Sequence, residues 1–207
     1  MILGLDPSVV LAFVGAGIVL NLTPGADVMF ASASGLSGGP RAGAAAALGV
    51  ALGALMHTVL AAAGLSALIA ASPVLFELVR WAGAGYLLFL AWKAWRAGAV
   101  PAQGGETRLI GAIRRGFLTN ALNPKVALFI LALLPQFTAP GAGPLWAQIL
   151  ALGAIFSVTG FVITAGYGMA AGLLGARLNR HARALNRVSA VVYGGLALRL
   201  VLTGGAK

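Results

Sequence analysis

The residues that could do chemistry in this 207-residue chain are few, and they gather around two prolines. Leu22-Thr23-Pro24-Gly25 is followed by Asp27, and Leu122-Asn123-Pro124 is followed by Lys125; the two prolines stand 100 positions apart. Each interrupts an apolar run, removes a backbone donor and disrupts the turn before it. Polar side chains flank both breaks, Asn21 and Thr23 at the first, Asn120 and Asn123 at the second. Carbonyls freed in an apolar phase must be satisfied by protein, water or ligand. A charge at the centre of a membrane helix costs ~2.5–3.5 kcal/mol on insertion scales, so Asp27 and Lys125 need a partner or a purpose. If the breaks pack together the two could meet. They would then form either a structural ion pair of doubtful net stability or a proton- or substrate-responsive pair. His57 could relay protons, since histidine is the side chain whose unperturbed pKa lies near neutrality; the plainer reading is a neutral, hydrogen-bonded interior histidine.

The elements that must position these residues follow from composition. The chain is 60% hydrophobic and 9% charged, has no cysteine and carries a formal net charge of +10. Its mean hydropathy is +0.96. A soluble domain has about a quarter of its residues charged, so the solvent here is lipid. A disulfide scaffold, an ordinary cytosolic enzyme and thiol chemistry are excluded. A basic groove for nucleic acid has no soluble surface to sit on. No hydrolase, phosphate-loop or metalloprotease motif is present, and two histidines with four acids make a multi-ligand metal site a poor expectation.

Charges and Pro/Gly clusters divide the chain into six apolar stretches near 9–34, 43–71, 74–96, 111–135, 145–175 and 185–203. Each reaches the ~20 residues a spanning helix needs. A cleaved signal peptide ending at Ala31-Ser32-Ala33 is disfavoured, because the N-terminus lacks Lys and Arg and the run is broken by Asn21, Pro24 and Asp27. Ten of the fourteen Lys/Arg fall in alternate connections: Arg41; Lys93, Arg96, Arg108, Arg114 and Arg115; Arg177, Arg180, Arg183 and Arg187. By the positive-inside rule these face the cytoplasm and both termini lie outside. Ser72-Pro73 should cap the third stretch, and Gly38-Gly39-Pro40 should turn tightly before the second. Trp81, Trp92, Trp95 and Trp146 suit interfaces. Glu77 with Arg80, and Arg199, read as boundary pairing and snorkelling. His181 reads as a solvated loop residue. Ser157, Thr159, Thr164 and Tyr167 either bond back to their helix or line a pathway.

Three stretches per half force any two homologous halves to be inserted upside down. The expected fold is therefore all-α and polytopic: one domain over 1–207, with six transmembrane helices as two inverted three-helix repeats. The repeats cover about 9–97 and 111–203, joined by a cytoplasmic loop at about 98–110, with the first and fourth helices broken. Paired breaks in corresponding helices point to a transporter site at the bilayer midplane.

At these residues the chain resembles the LysE/RhtB family of bacterial amino-acid exporters. The resemblance rests on Thr23-Pro24-Gly25, on Arg41-Ala-Gly43 leading to Gly49 and Gly53, and on Trp81-Ala-Gly-Ala-Gly-Tyr86-Leu through Trp95-Arg96. It continues through Asn120-Ala-Leu-Asn123-Pro124-Lys125 to Leu134-Pro135-Gln136-Phe137, with Gly166-Tyr167 in the fifth stretch. The family pattern reads Pro-Gly-Pro where this chain has Pro24-Gly25-Ala26. The resemblance implies proton-driven efflux of amino acids or close derivatives across the bacterial cytoplasmic membrane. The expected substrate site takes in Asn21, Thr23, Pro24, Gly25, Asn120, Asn123, Pro124, Lys125 and Tyr167, with Asp27, Lys125 and His57 in coupling. No cofactor and no metal are expected. The expected partners are the small-molecule substrate, protons and lipid, with a homo-oligomer left open. The competing readings are an exporter of another solute such as a metal cation, and a non-transporting membrane assembly protein.

Overall fold

The structure, a computed structural model, describes residues 4–96, 104–174 and 182–202, so Arg177, Arg180, His181 and Lys207 lie outside it. All its regular elements are helical. The first helix, α1 (Pro7–Leu22), begins with Pro7 in its first turn and Asp6 as its N-cap. The Asp6 carboxylate accepts from the Ser8 hydroxyl at 2.6 Å and the Ser8 backbone N–H at 2.7 Å, which holds it below the ordinary carboxylate range. The helix ends at Leu22 because Pro24 forces its predecessor Thr23 into an extended conformation, φ −67° and ψ 120°.

The next element, α2 (Ala26–Ala71), contains one non-helical residue, Gly39, at φ 78° and ψ 178°, followed by Pro40. That φ favours glycine. A methyl group at either Gly35 or Gly43 would collide with the backbone of Gly168. In a straight helix those two glycines would be roughly 12 Å apart, so the chain turns at Gly39. The expected tight turn is present, but helix resumes at once with no loop between the arms. The third helix, α3 (Pro73–Arg96), starts as expected: the Ser72 hydroxyl accepts from the backbone N–H of Leu75 at 3.3 Å. Arg80 pairs with Glu77 at 2.7 Å. Arg80 is buried, however, so it does not snorkel.

The second break separates α4 (Leu109–Ala121) from α5 (Pro124–Leu128), which continues through a π-helical turn (Phe129–Leu133) and a 3-10 turn (Leu134–Phe137). The two arms meet at 53°. Pro135 cannot donate to a carbonyl behind it, and the ladder changes pitch at that point. Two long helices complete the chain, α6 (Leu145–Leu174) and α7 (Ala182–Leu202).

Among the described residues, Ala26–Gly64 and Leu145–Leu174 are long and apolar enough to span a bilayer, and the bent pair makes a third candidate. With only 16 residues α1 is about 24 Å long, short of a ~30 Å hydrocarbon core. Large apolar side chains face outward, as a lipid solvent allows: Leu11, Ile110 and Leu122 are 70%, 74% and 80% exposed. Inside, Phe13 meets Phe137 edge-on at 5.3 Å and Phe129 stacks on Phe156 at 4.8 Å. This core joins α1, the bent segment and α6. Helix α2 packs on α4 and α6, and α3 packs on α7. These contacts bring the two breaks face to face.

Candidate functional site

The breaks cap one another. From the second break, the Lys125 ammonium donates to the Thr23 carbonyl in the first at 3.1 Å. From the first, Asp27 Oδ2 accepts from Asn120 Nδ2 at 3.0 Å and Asn123 Nδ2 at 2.9 Å. Asn123 also caps α5, its Oδ1 accepting from the Lys125 backbone N–H at 3.0 Å. That local bond is what an Asn-Pro helix start favours. Thr23 is buried and its hydroxyl donates back to Val19 O at 2.8 Å.

Other freed carbonyls find side chains from distant helices. Tyr167 of α6 donates to the Leu22 carbonyl at 3.1 Å. His57 Nε2 lies 3.2 Å from the Asn120 carbonyl, the tautomer that donates satisfying that oxygen. The Leu22, Thr23 and Asn120 carbonyls at the two breaks are thus met by protein side chains.

Asp27 and Lys125 share a site without pairing directly. The ion pairs within 4.0 Å among the described residues are Arg80–Glu77 and Arg115–Glu106. The amides of Asn120 and Asn123 claim the carboxylate, and the Thr23 carbonyl claims the ammonium. Lys125 Nζ also lies 5.9 Å from the ring centre of Tyr193 and 3.4 Å from where a side chain on Gly25 would begin.

A cavity of about 20 Å³ lies between the breaks and α6. Asn21, Gly25, Asp27, Asn120 and Lys125 line it, with Val50, Ala54, Phe156, Ser157, Gly160 and Thr164. It has room for about one water. Three polar atoms at this cavity are fully buried and have no partner among the described residues: Asn21 Nδ2, Asp27 Oδ1 and Asn120 Oδ1. Each such group costs ~1–3 kcal/mol. Of the residues expected at the site, Asn21, Gly25, Asp27, Asn120 and Lys125 line the cavity. Thr23, Pro24, Asn123, Pro124, His57 and Tyr167 instead shape and satisfy the breaks around it.

The hydroxyls left open by the sequence now separate. Ser157 and Thr159 bond back to their own helix, Tyr167 caps the first break, and Thr164 faces the cavity. Tyr193 and Glu106 were not foreseen. Tyr193 is buried with its hydroxyl unpartnered. The backbone N–H of Glu106 donates to Ser34 Oγ at 3.2 Å, and its carboxylate meets Arg115 at 3.6 Å, tying the loop before α4 to the helix that carries Asp27. Neither has a local sequence signature: one is a lone tyrosine in an apolar helix, the other a loop acid.

Comparison with known proteins decides the family. The profile of the LysE type translocator family matches residues 18–204. The chain belongs to that family. A homoserine/homoserine lactone efflux protein of Salmonella typhi is 33% identical over 181 residues, covering 85% of this chain and 87% of that protein. An uncharacterized membrane protein of Vibrio cholerae is 34% identical over 185 residues, 88% of each chain. A leucine efflux protein of Salmonella choleraesuis is 37% identical over 137 residues, covering 63% of this chain and 64% of that protein. No solved structure matches the chain. LysE type translocators with amino-acid efflux relatives are membrane transporters, which agrees with the lipid-facing composition and the apolar helices.

Proposed function

We propose that the chain is a secondary active exporter of amino acids or close derivatives, coupled to protons and working by alternating access around the cavity between its two breaks. The observation that carries this reading is the set of unpaired polar atoms on that cavity. Asp27 Oδ1 and Asn120 Oδ1 are acceptors, Asn21 Nδ2 is a donor, and Lys125 has donors beyond the one given to Thr23. A zwitterion supplies the complement: its ammonium donates to the two acceptors and its carboxylate accepts from Lys125, which leaves Asn21 for a polar group elsewhere on the substrate. Asp27 Oδ1 also offers a place for a proton when no substrate ammonium is present, which is the exchange an antiporter needs. Helix ends at the breaks add amide donors and carbonyl acceptors.

The six-span inverted repeat is the architecture that suits this mechanism. Supporting it, elements expected to be equivalent pack on each other: α2 on α6, α3 on α7, and break on break. The sorting of ten basic residues into alternate connections supports placing both termini outside. Export of a metal cation fares worse, because among the described residues no three His, Cys, Asp or Glu side chains come together. A purely structural protein has no use for three unpaired atoms on one cavity.

The test is transport by purified protein in proteoliposomes with an imposed pH gradient. Asp27→Asn should abolish acceleration by the gradient while amino-acid exchange persists. Gradient-driven transport unaffected by Asp27→Asn would remove proton coupling through this residue.

A further inference from the structure

Helical serines and threonines in lipid usually spend their hydroxyl proton on their own helix. Thr58, Ser157 and Thr159 do so here, donating to carbonyls three or four residues back at 2.9 to 3.0 Å. Thr164 is equally buried, 3% exposed, yet makes no hydrogen bond among the described residues and lines the cavity. One turn back on the same helix, Gly160 also lines the cavity, and Asn21 of α1 lies against it. A methyl group on Gly160 would come within 3.2 Å of both Asn21 Nδ2 and Oδ1. Asn21 Nδ2 is itself buried without a partner. Two side chains with unspent hydrogen-bonding capacity thus flank a glycine, on α1 and α6, while the charged groups come from α2 and α5. Val50, Ala54 and Phe156 add apolar surface to the same cavity, beside Ser157, whose hydroxyl is spent on the Gly153 carbonyl.

We infer that Thr164 and Asn21, over the open face of Gly160, form the subsite for the transported molecule's side chain and select short hydroxyl-bearing side chains over aliphatic ones of equal size. This rests on the amino-acid reading of the site. The charged groups serve the ammonium and carboxylate that every amino acid shares, so discrimination falls to the neutral groups. A hydroxyl reaching this subsite satisfies Thr164 and Asn21. An aliphatic isostere leaves them bare, and a buried polar group without a partner is where selectivity is greatest. Gly160 keeps this space open, because a methyl there would crowd Asn21, which would have to give by a few tenths of an ångström.

Threonine and valine are a near-isosteric pair differing in one hydroxyl. Counterflow of each is measured in proteoliposomes holding wild-type protein, Thr164→Val, Thr164→Ser or Gly160→Ala. Wild type should prefer threonine by roughly tenfold. Thr164→Val should bring the threonine-to-valine ratio to about one, Thr164→Ser should keep the preference, and Gly160→Ala should lose leucine before alanine. An unchanged threonine-to-valine ratio in Thr164→Val, or an equal loss of both substrates, overturns the subsite. Wild-type protein that transports no member of an amino-acid panel would instead overturn the exporter reading on which the subsite stands.

Discussion

Lys125 and Thr23 are 102 residues apart in the chain, and the lysine ammonium sits 3.1 Å from the threonine carbonyl. A cation at this position completes the C-terminal end of α1, where the helix dipole favours positive charge. The same ammonium borders the cavity, so it has both a structural and a ligand-facing role. Lys125→Met should raise the half-saturation concentration for the substrate roughly tenfold to hundredfold, the loss of one charge-assisted hydrogen bond. Arginine should not restore it, because its planar fork does not reproduce the compact ammonium that donates to the Thr23 carbonyl. Concentration-dependent counterflow distinguishes these outcomes, and an unaltered half-saturation in Lys125→Met would take the lysine out of the binding site.

Two classes of glycine should respond oppositely to alanine. Gly168 lies against the backbone of Gly43, and Gly49 against that of Ile113, with no room for a methyl. Gly168→Ala and Gly49→Ala should each destabilise by about 1–3 kcal/mol through overpacking. Gly15 and Gly85 have open space where a Cβ would stand, so Gly85→Ala should stabilise by up to about 1 kcal/mol through helix propensity. Thermal unfolding in detergent reads all three, and equal shifts would contradict the close backbone contact.

Acid should weaken the fold at two exposed carboxylates. Asp6 is held low by Ser8, and Glu106 chiefly by the backbone N–H of Arg108. A carboxyl with a lowered folded-state pKa stabilises above its unfolded pKa and loses that contribution as pH falls through the folded value. Thermal stability should therefore decline as the pH passes below the ordinary carboxylate range. The Asp6→Asn, Glu106→Gln double variant should show a flatter decline. A double variant as acid-sensitive as wild type would place the loss elsewhere.

Tyr193→Phe removes a buried hydroxyl that has no hydrogen-bond partner. The stability should rise by on the order of 1 kcal/mol, and the melting temperature with it. A fall would mean that the hydroxyl is bonded in the membrane-embedded protein.

Much of this site was legible in the chain because proline is unambiguous: Pro24 and Pro124 end helices wherever they fall in an apolar run. The cap at Ser72 was similarly local. What could not be read was pairing. Opposite charges beside two breaks suggested an ion pair, but Asn120 and Asn123 reach Asp27 first. That competition depends on side-chain directions set by the 53° bend, which sequence spacing does not encode. The unspent Thr164 hydroxyl is invisible for the same reason, since the alternative bond to its own helix was equally open to it. The π-helical turn at Phe129–Leu133 has no residue signature beyond Pro135.

The glycine contacts between α2 and α6 have a mechanical consequence. Side chains that interdigitate act as gear teeth, and moving one helix past another requires each to change rotamer. Where Gly35 and Gly43 meet Gly168, backbone rests on backbone with no teeth between. Such a seam has the geometry of a plain bearing: two rods held close, with no side chain between them whose rotamer would have to change for one to pivot against the other.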